Sequence, residues 1–322
     1  MKTAKRLKKS TPISTDEFTN DAFAKPFLKW AGGKGQLINK FRDFYPDELK
    51  NGEITCYYEP FIGGGAVFFD VAQQYNIQSA FLYDINEDLI LTYRVIQQDV
   101  FKLIETLDLF QRNYEKLDDK AQSEFFYKTR EDFNRNLRKI NFSKYNDEWI
   151  LRAAQIIFIN KTCFNGLFRL NQKGEFNVPA GRYKNPKILD EQNLIKVSKL
   201  LSIAVIKNER FTAVEADIAD KSFVYFDPPY RPISKTSDFT SYSKFKFEDA
   251  EQIQLGDLFH RLNQKEIKQM LSNSDPKNHD PNDNFFDEIY KEFNISRVSA
   301  RRMINSNATK RFAINEIIVT NY

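Results

Sequence analysis

The stretch Phe223–Tyr230, which reads FVYFDPPY, limits the fold more than any other part of the chain. Residues 223–226 are β-branched or aromatic, which is the composition of a buried strand. Pro228 and Pro229 cannot donate to a β ladder, so the strand must end before them. Asp227 is therefore predicted at the carboxyl end of a strand, where open α/β sheets bind their ligands. A simple turn gives the same pattern, and other motifs must decide between the two interpretations.

A glycine-rich loop follows a second predicted strand at 55–58. It reads EPFIGGGAVFF from Glu59 to Phe69 and leads into a helical pattern. Three consecutive glycines let a ligand lie against the backbone, and the following helix points its N-terminus at that ligand. The dinucleotide fingerprint is absent because Phe68 stands where its third glycine would fall, and no Gly-Lys-Ser/Thr of a P-loop follows.

Two further acids are candidates for ligand binding. Asp84 ends the predicted strand 80–83, about twenty residues after the glycine loop, where an acid commonly binds ribose hydroxyls. A cap for the helix that begins near Glu87 is an equally good interpretation. Asp217 is predicted in a loop just before the strand that ends at Asp227.

An earlier glycine pair, Gly32–Gly33, is followed by Lys34 and by the amphipathic residues 37–41. This pattern predicts a tight turn that leads into a helix, with backbone N–H groups and a lysine available to an anion. A Gly-Gly-Lys turn is a weak signal by itself.

The middle of the chain is predicted to be helical. From about 92 to 149 apolar residues recur with a helical period and no strand pattern interrupts them. The apolar run 153–160 predicts a buried helix end. Helical insertions of this kind in α/β proteins commonly carry substrate recognition.

Residues 161–184 combine turn signals with cations and aromatic rings. Asn165-Gly166 and residues 172–174 are typical of tight turns and predict a β-hairpin. Cations neutralise DNA phosphates, arginine pairs with guanine edges, and a projecting ring or leucine can wedge between bases. An ordinary exposed hairpin has the same composition, so both interpretations stay open. The alternating basic and aromatic residues are Lys161, Phe164, Phe168, Arg169, Lys173, Phe176, Arg182, Tyr183 and Lys184.

The remainder of the chain predicts an α/β protein. Helix-like and strand-like patterns alternate there. Helices are predicted at 194–201, 247–262 and 285–293, and strands at 202–206, 269–272, 295–300 and 316–322.

Composition restricts the class of protein. The 322 residues suffice for one large or two modest domains. No apolar run approaches the roughly 18 residues of a membrane span, and no signal peptide is evident, so we expect a soluble intracellular protein. The two cysteines and two histidines show no paired metal spacing, so neither a zinc site nor a His-based triad is expected.

The basic residues are unevenly placed. The net charge of +4 is weak evidence for a polyanionic partner. Residues 1–24 are rich in lysine and lack periodicity, which predicts a disordered basic arm. That arm is either a solvated tail or a contact to a phosphate backbone.

Taken together, the motifs resemble those of a known family. From Phe27 to Tyr322 the chain carries, in order, KWAGGK, EPFIGGG, YDIN, FNGLFRLN with GEFNVPAGRY, FDPPY, LSNS and EIIVTNY. Each is weak alone, but this series is similar to that of the Dam-type DNA adenine-N6 methyltransferases of the D12 class. It looks closest to the branch that accompanies GATC-cutting restriction systems of the DpnII type. A glycine loop first, a recognition region next and the catalytic motif last is the α-group order.

The resemblance implies a fold and an activity. The fold would be a Rossmann-like, S-adenosylmethionine (SAM)-dependent methyltransferase sheet at 25–92 and 190–322, with a mainly helical DNA-recognition domain carrying a β-hairpin inserted at 93–189. The activity would be methyl transfer from SAM, without metal, to adenine N6 of duplex DNA, within GATC and by base flipping. S-adenosyl-L-homocysteine would be the product. A prokaryotic or phage cytoplasmic enzyme is implied, with a cognate restriction endonuclease as a partner that forms no stable complex, and with no membrane association.

The resemblance also assigns residues, although the family often has Tyr where Phe164 stands and an aromatic residue where Ala180 stands. Asp84 would bind the ribose of SAM and Asp217 its adenine amino group. The target base would be held by Asp227, Pro228, Pro229 and Tyr230. SAM would be bound by Trp30, Lys34, Phe61, Gly63, Gly65, Asp84, Asp217, Ile218 and Asp227. DNA would be contacted by Lys29, Phe164, Asn165, Leu167, Arg169, Asn171, Pro179 and Arg182.

Three other activities compete with this hypothesis. Short Asp/Asn-Pro-Pro-Tyr motifs also serve enzymes that methylate cytosine N4 or glutamine, but an aspartate at 227 and the basic hairpin favour adenine in DNA. A non-catalytic DNA-binding protein on the same scaffold is disfavoured because Asp84, Asp217 and Asp227 are all present. A nicotinamide oxidoreductase is disfavoured by the glycine spacing.

Overall fold

A seven-stranded sheet forms the centre of the computed structural model, which describes residues 23–231, 247–301 and 313–322. The predicted basic arm therefore lies outside the described residues, except for its last two positions. The strands are β1 Cys56–Glu59, β2 Ser79–Tyr83, β3 Ala204–Lys207, β4 Ser222–Phe226, β5 Lys268–Ser274, β6 Asn294–Arg301 and β7 Ala313–Thr320. Their order across the sheet is β3-β2-β1-β4-β5-β7-β6.

The sheet reverses its strand order next to β1. Strand β1 pairs in parallel with β2 on one side and with β4 on the other, and β5 continues the parallel set. Strand β7 is antiparallel to both β5 and β6. The crevice at the carboxyl ends of β1 and β4 is therefore a topological switch point, the usual ligand position in open α/β sheets.

Strand β4 is central because both of its faces are apolar. Phe223 and Tyr225 belong to one buried cluster, whereas Val224 and Phe226 belong to the cluster on the other side of the sheet. Alternation of side chains along a strand puts neighbours on opposite faces, so a continuous apolar run is buried twice. The strand predicted at 223–226 is confirmed and begins one residue earlier, at Ser222.

Helices cover both faces of the sheet. The longest, α4, begins directly after β2 and is capped by Asn86, whose side chain accepts the backbone N–H of Leu89 at 3.0 Å. The helices are α1 Ile38–Phe41, α2 Asp47–Lys50, α3 Ala66–Gln74, α4 Glu87–Glu115, α5 Asp119–Asn136, α6 Glu148–Thr162, α7 Glu191–Leu201, α8 Val214–Asp217, α9 Asp249–Gln264 and α10 Phe285–Ile289.

Between β2 and β3 the chain is mainly helical, as its periodicity predicts. Helices α4, α5 and α6 pack together and share one buried cluster with the sheet. Arg152 of α6 joins the three, because its guanidinium bonds Asp88 of α4 and the carbonyl of Phe133 in α5, and it is almost fully buried. None of the helices in the described ranges is long and apolar enough to cross a membrane.

The predicted β-hairpin at 161–184 needs correction. Two isolated antiparallel bridges, Cys163 with Ala180 and Leu170 with Phe176, replace continuous strands. The predicted Asn-Gly turn is confirmed, since Asn165 and Gly166 both have positive φ, 59° and 65°. The segment folds back on itself through backbone hydrogen bonds, such as those from Phe164 N–H to the carbonyl of Pro179 at 2.9 Å and from Gly181 N–H to that of Thr162 at 2.8 Å. Its side chains Phe168 and Phe176 belong to the buried cluster.

Candidate active site

Asp227 lies directly after β4, where the two prolines stop the strand. The Nζ atom of Lys34 is 2.6 Å from Asp227 Oδ1. The same ammonium donates to the carbonyl of Gly32 at 3.1 Å and to the hydroxyl of Tyr230 at 3.2 Å. Lys34 is only 3% exposed, so this is a buried ion pair fixed by the turn at Gly32.

A second carboxylate, that of Glu316 in β7, belongs to the same cluster. Tyr230 donates its hydroxyl to Glu316 Oε1 at 2.8 Å, and Glu316 Oε2 lies 3.8 Å from the Nζ atom of Lys34. Within the described parts of the chain, no donor forms a hydrogen bond to that buried Oε2 atom. The antiparallel register places Glu316 opposite Ser274, near the carboxyl end of β5.

Burial raises the pKa of Asp227 to about 6, even though Lys34 opposes the rise. The negative charge of Glu316 adds to the increase, while Ser272, with Oγ 3.5 Å from Oδ1, counteracts it. The pKa of Lys34 is held above its ordinary value, because Asp227, Tyr230 and Glu316 outweigh the effect of burial. The pair is therefore charged at neutral pH.

The backbone after Asp227 is fixed from α9 and β5. Gln252 donates its Nε2 to the carbonyl of Pro229 at 3.0 Å, and Asn273 donates to Gln252 Oε1 at 3.3 Å. Both amides are buried. The Asp-Pro-Pro-Tyr segment is thus rigid, and Tyr230 is held at both its backbone and its hydroxyl.

The glycine loop and Asp84 form one hydrogen-bonded unit. The backbone N–H of Gly63 donates to Asp84 Oδ2 at 3.1 Å, and Oδ1 accepts the N–H of Asn86 at 2.9 Å. Burial raises the pKa of Asp84 to about 6, although these bonds oppose the rise. Since Asn86 caps α4, the capping interpretation of Asp84 is wrong and its carboxylate is tied to the loop instead.

The side chain of Trp30 lies between the glycine loop and the segment 163–181. A Cβ at Gly63 would come within 2.9 Å of its ring. On the other side the ring stacks on Phe168, with centroids 5.0 Å apart and an interplanar angle of 25°. Trp30 therefore connects the two regions to which the family resemblance assigns cofactor and DNA contacts.

Asp217 ends the short helix α8 and does not lie in a loop as predicted. Its carboxylate accepts Lys207 Nζ at 2.6 Å and the hydroxyl of Tyr83 at 2.7 Å. Burial alone would raise its pKa, but these two donors hold the pKa of Asp217 below its ordinary value. Sequence reasoning missed both partners, because β2 and β3 become neighbours of α8 only in the fold.

Phe61 lies in an aromatic group near the carboxyl ends of these strands. Its ring stacks on Phe211 at 5.4 Å and meets Phe247 edge-on at 5.5 Å. Ile218 packs against the same cluster. Neither Phe211 nor Phe247 was predicted, since nothing in the local sequence links them to Phe61.

The predicted DNA contacts divide into exposed and internally bonded side chains. Phe164 is 53% exposed, and Asn165, Pro179, Arg182 and Lys29 are also on the surface. Leu167 is half-buried.

Two residues of that set are already bonded within the chain. The Nε atom of Arg169 donates to Asn177 at 2.8 Å. Asn171 accepts the backbone N–H groups of Lys173 and Glu175 at 2.9 and 3.0 Å, so it stabilises the turn.

Sequence reasoning also missed Asn160, at the end of α6. Its Oδ1 accepts the N–H of Lys29 at 2.9 Å, and its Nδ2 donates to the carbonyls of Lys29 and Gly166 at 3.0 and 3.1 Å. This fully buried amide fixes the irregular segment before Lys34 against the Asn165-Gly166 turn. Its only sequence signal is a polar residue inside an apolar helical run.

Comparison with known proteins supports one family. The model of the D12 class N6 adenine-specific DNA methyltransferases matches residues 30–304. The type II methyltransferase M.MjaIII of Methanocaldococcus jannaschii is 49% identical over 299 residues, which is 92% of this chain and 99% of the relative. The type II methyltransferase M1.LlaDCHI of Lactococcus lactis subsp. cremoris is 39% identical, over 92% of this chain and 95% of the relative. The DNA adenine methylase of Escherichia coli (strain K12) is 31% identical, over 91% and 94%. This chain therefore belongs to the D12 class of N6 adenine-specific DNA methyltransferases.

Proposed function

We propose that this enzyme methylates the adenine of GATC in duplex DNA, and that Asp227 accepts a hydrogen bond from the amine that is methylated. The observation that carries the proposal is the charged carboxylate of Asp227 at the switch point of the sheet, fixed on one oxygen by Lys34. Family membership gives adenine N6 as the acceptor, and the resemblance to GATC methyltransferases gives the sequence.

The chemistry explains why an aspartate is used. The lone pair of an exocyclic adenine amine is delocalised into the ring, so the amine is a poor nucleophile. A carboxylate and a carbonyl that accept its two N–H groups localise the lone pair, and preorganised acceptors do so without reorganisation. Asp227 and the carbonyl of Pro228 are proposed as these acceptors, with the ring of Tyr230 as a stacking face. A base inside the duplex cannot reach them, so we infer base flipping.

SAM supplies the electrophilic methyl group when it is bound, and the residues of the switch point fit it. Asp84 offers a carboxylate to the ribose hydroxyls, beside a loop whose Gly63 would clash with Trp30 if it carried a Cβ. Phe61, whose ring stacks on Phe211, would lie beside the methionine part of SAM. Asp217 would hold the adenine amino group through the carboxylate that Lys207 and Tyr83 keep ionised, and Ile218 would pack beside it. Lys34 and Gly65 complete the proposed binding set, and no metal is needed.

DNA recognition is assigned to the stretch 93–189 as an inserted domain. Arg169 would pair with a guanine, and Phe164, Asn165 and Leu167 would contact or wedge into the stack. The sugar-phosphate backbone of the DNA would be contacted by Lys29, Asn171, Pro179 and Arg182. The exposure of Phe164 and of Arg182 supports this assignment, because both side chains are accessible to a duplex.

The test is methyl transfer from labelled SAM to two duplexes that differ only in GATC against GTAC. We expect incorporation into the first alone, with single-molecule sequencing reporting N6-methyladenine at that site. Asp227→Ala should abolish transfer and retain DNA binding. Equal incorporation into both duplexes would contradict the assigned sequence, and an active Asp227→Ala variant would contradict the assigned residue.

A biological partner follows from the same proposal. Two of the relatives are named type II methyltransferases. We propose that this enzyme likewise protects DNA from a cognate restriction endonuclease without a stable complex. DNA methylated by it should resist an endonuclease that cuts only unmethylated GATC, and mixing the two proteins should give no co-elution.

A further inference from the structure

Among the residues that the structure describes, the buried cluster around Asp227 contains more negative than positive groups. Two carboxylates, Asp227 and Glu316, face the single ammonium of Lys34, at 2.6 and 3.8 Å. Within the described ranges, Glu316 also accepts the hydroxyl of Tyr230 and is paired with Ser274 of β5 and Val298 of β6. All three charged side chains are mostly shielded from water.

The stability of the fold does not explain this arrangement. A buried charge without full compensation is unfavourable, and one oxygen of Glu316 has no hydrogen-bond donor from the described residues. A glutamine at this position would accept the hydroxyl of Tyr230 equally well and would avoid the excess charge. The carboxylate therefore has a use that lies outside folding.

We propose that Glu316 is a positioning residue that balances the charge of Lys34, so that Asp227 keeps its negative charge for the target amine. The proposal rests on the assignment of Asp227 as the acceptor of that amine. If Lys34 had Asp227 as its one partner, the pair would be neutral and the carboxylate a weaker acceptor. With Glu316 sharing the ammonium, the cluster keeps one net negative charge, which stabilises the positive charge that develops on the amine.

The variant Glu316→Gln tests this, because it keeps the acceptor for Tyr230 and removes the charge. We expect the single-turnover rate to fall at least about tenfold, a typical loss when one preorganised electrostatic contact is removed. The KM for DNA and the affinity for S-adenosylhomocysteine, measured by calorimetry, should change by less than about twofold.

Two further measurements separate this role from a structural one. The acid limb of the pH profile should move to lower pH in Glu316→Gln, because loss of a negative neighbour lowers the pKa of Asp227. The melting temperature of the ligand-free variant should equal or exceed that of the wild type, because the buried excess charge is gone. If Glu316 were purely structural, its replacement would lower the melting temperature.

Partner variants complete the test. In a Lys34→Gln background, Glu316→Gln should lower the single-turnover rate hardly any further, because there is no ammonium for Glu316 to balance. The proposal would be overturned if Glu316→Gln reacted at the wild-type rate. It would also be overturned if Tyr230→Phe reproduced both the rate and the pH profile of Glu316→Gln. If Asp227→Ala remains active, the proposed function fails as well. If Asp227→Ala is inactive while Glu316→Gln is unimpaired, only the role of Glu316 fails.

Discussion

At the scale of single residues, the surroundings of Asp227 determine what its carboxylate can do. An aspartate in water has a pKa of about 3.9. Burial, with a smaller contribution from the negative charge of Glu316, raises the pKa of Asp227 to about 6. A higher pKa makes the carboxylate a better hydrogen-bond acceptor and brings its titration close to the working range. Lys34 limits the rise, so the acceptor form still dominates at pH 7.

This pKa predicts an acid limb in the rate profile. The active carboxylate is lost as the pH falls through about 6, so kcat/KM at pH 5 should be about tenfold below its plateau. The folded-state pKa is raised above the unfolded value of 3.8, so Asp227 opposes folding at neutral pH and this cost disappears as the pH falls from about 6 to 3.8. Initial rates between pH 5 and 9 measure the limb.

Asp227→Asn is the matched control, because it keeps the shape of the side chain and cannot titrate. Its rate should be at least about 100-fold lower, with no acid limb of this origin. A wild-type profile that is flat from pH 5 to 8 would contradict the assignment of the limb to Asp227.

At the scale of elements, the glycine loop is shaped by its backbone angles. Gly65 has a φ of 72° and directly precedes α3, and its N–H donates to the carbonyl of Ile62 at 2.7 Å. A Cβ at Gly65 would lie 2.6 Å from the hydroxyl of Tyr93. That hydroxyl donates to the carbonyl of Gly63 at 3.1 Å, so both glycines are fixed by one tyrosine of α4.

Gly65→Ala should therefore damage the loop. The left-handed φ costs about 1–2 kcal/mol for an alanine, and the new methyl group would displace Tyr93 from Gly63. We expect a lower melting temperature and weaker binding of S-adenosylhomocysteine by calorimetry. Gly35→Ala is the matched control, since a Cβ there meets nothing within 4 Å. Equal effects of the two changes would refute this account.

Most helices, strands and turns were predictable from the local sequence, whereas the residues that they contact in the fold were not. The apolar run at β4, the helical period of 92–149 and the Asn-Gly turn are local signals, and each is found in the structure. In 161–184 the pairing is limited to two isolated bridges, and the turn motifs do not encode how far strand pairing extends. Glu316 could not be assigned, because β7 reaches the site only through its antiparallel pairing with β5.

At the scale of the whole molecule, the stretch 29–35 joins the catalytic cluster to the proposed recognition segment. Lys34 contacts Asp227, Trp30 contacts both Gly63 and Phe168, and the backbone of Lys29 is bonded by Asn160. A Cβ at Gly166 would lie 2.5 Å from the side chain of Lys29, so the turn and this stretch pack without a gap. A shift of the recognition segment must therefore move the stretch that carries Lys34.

Such a connection predicts linkage between the two ligands. Asn160→Ala removes three hydrogen bonds to Lys29 and Gly166 and should weaken the coupling between them. The factor by which S-adenosylhomocysteine tightens binding of a GATC duplex should fall toward one. The factor by which the duplex tightens S-adenosylhomocysteine must fall equally, because coupling free energies are reciprocal.

The chain provides a matched control for that variant. Asn193 makes the same pair of backbone bonds, to the N–H and carbonyl of Lys25 at 2.8 and 2.9 Å, but it is only half-buried and far in sequence from the turn at Gly166. Asn193→Ala should leave both coupling factors at their wild-type values. If the two variants change the factors alike, coupling does not pass through Asn160. If Asn160→Ala alone changes both by the same ratio, the buried amide couples binding of DNA to the stretch that carries Lys34.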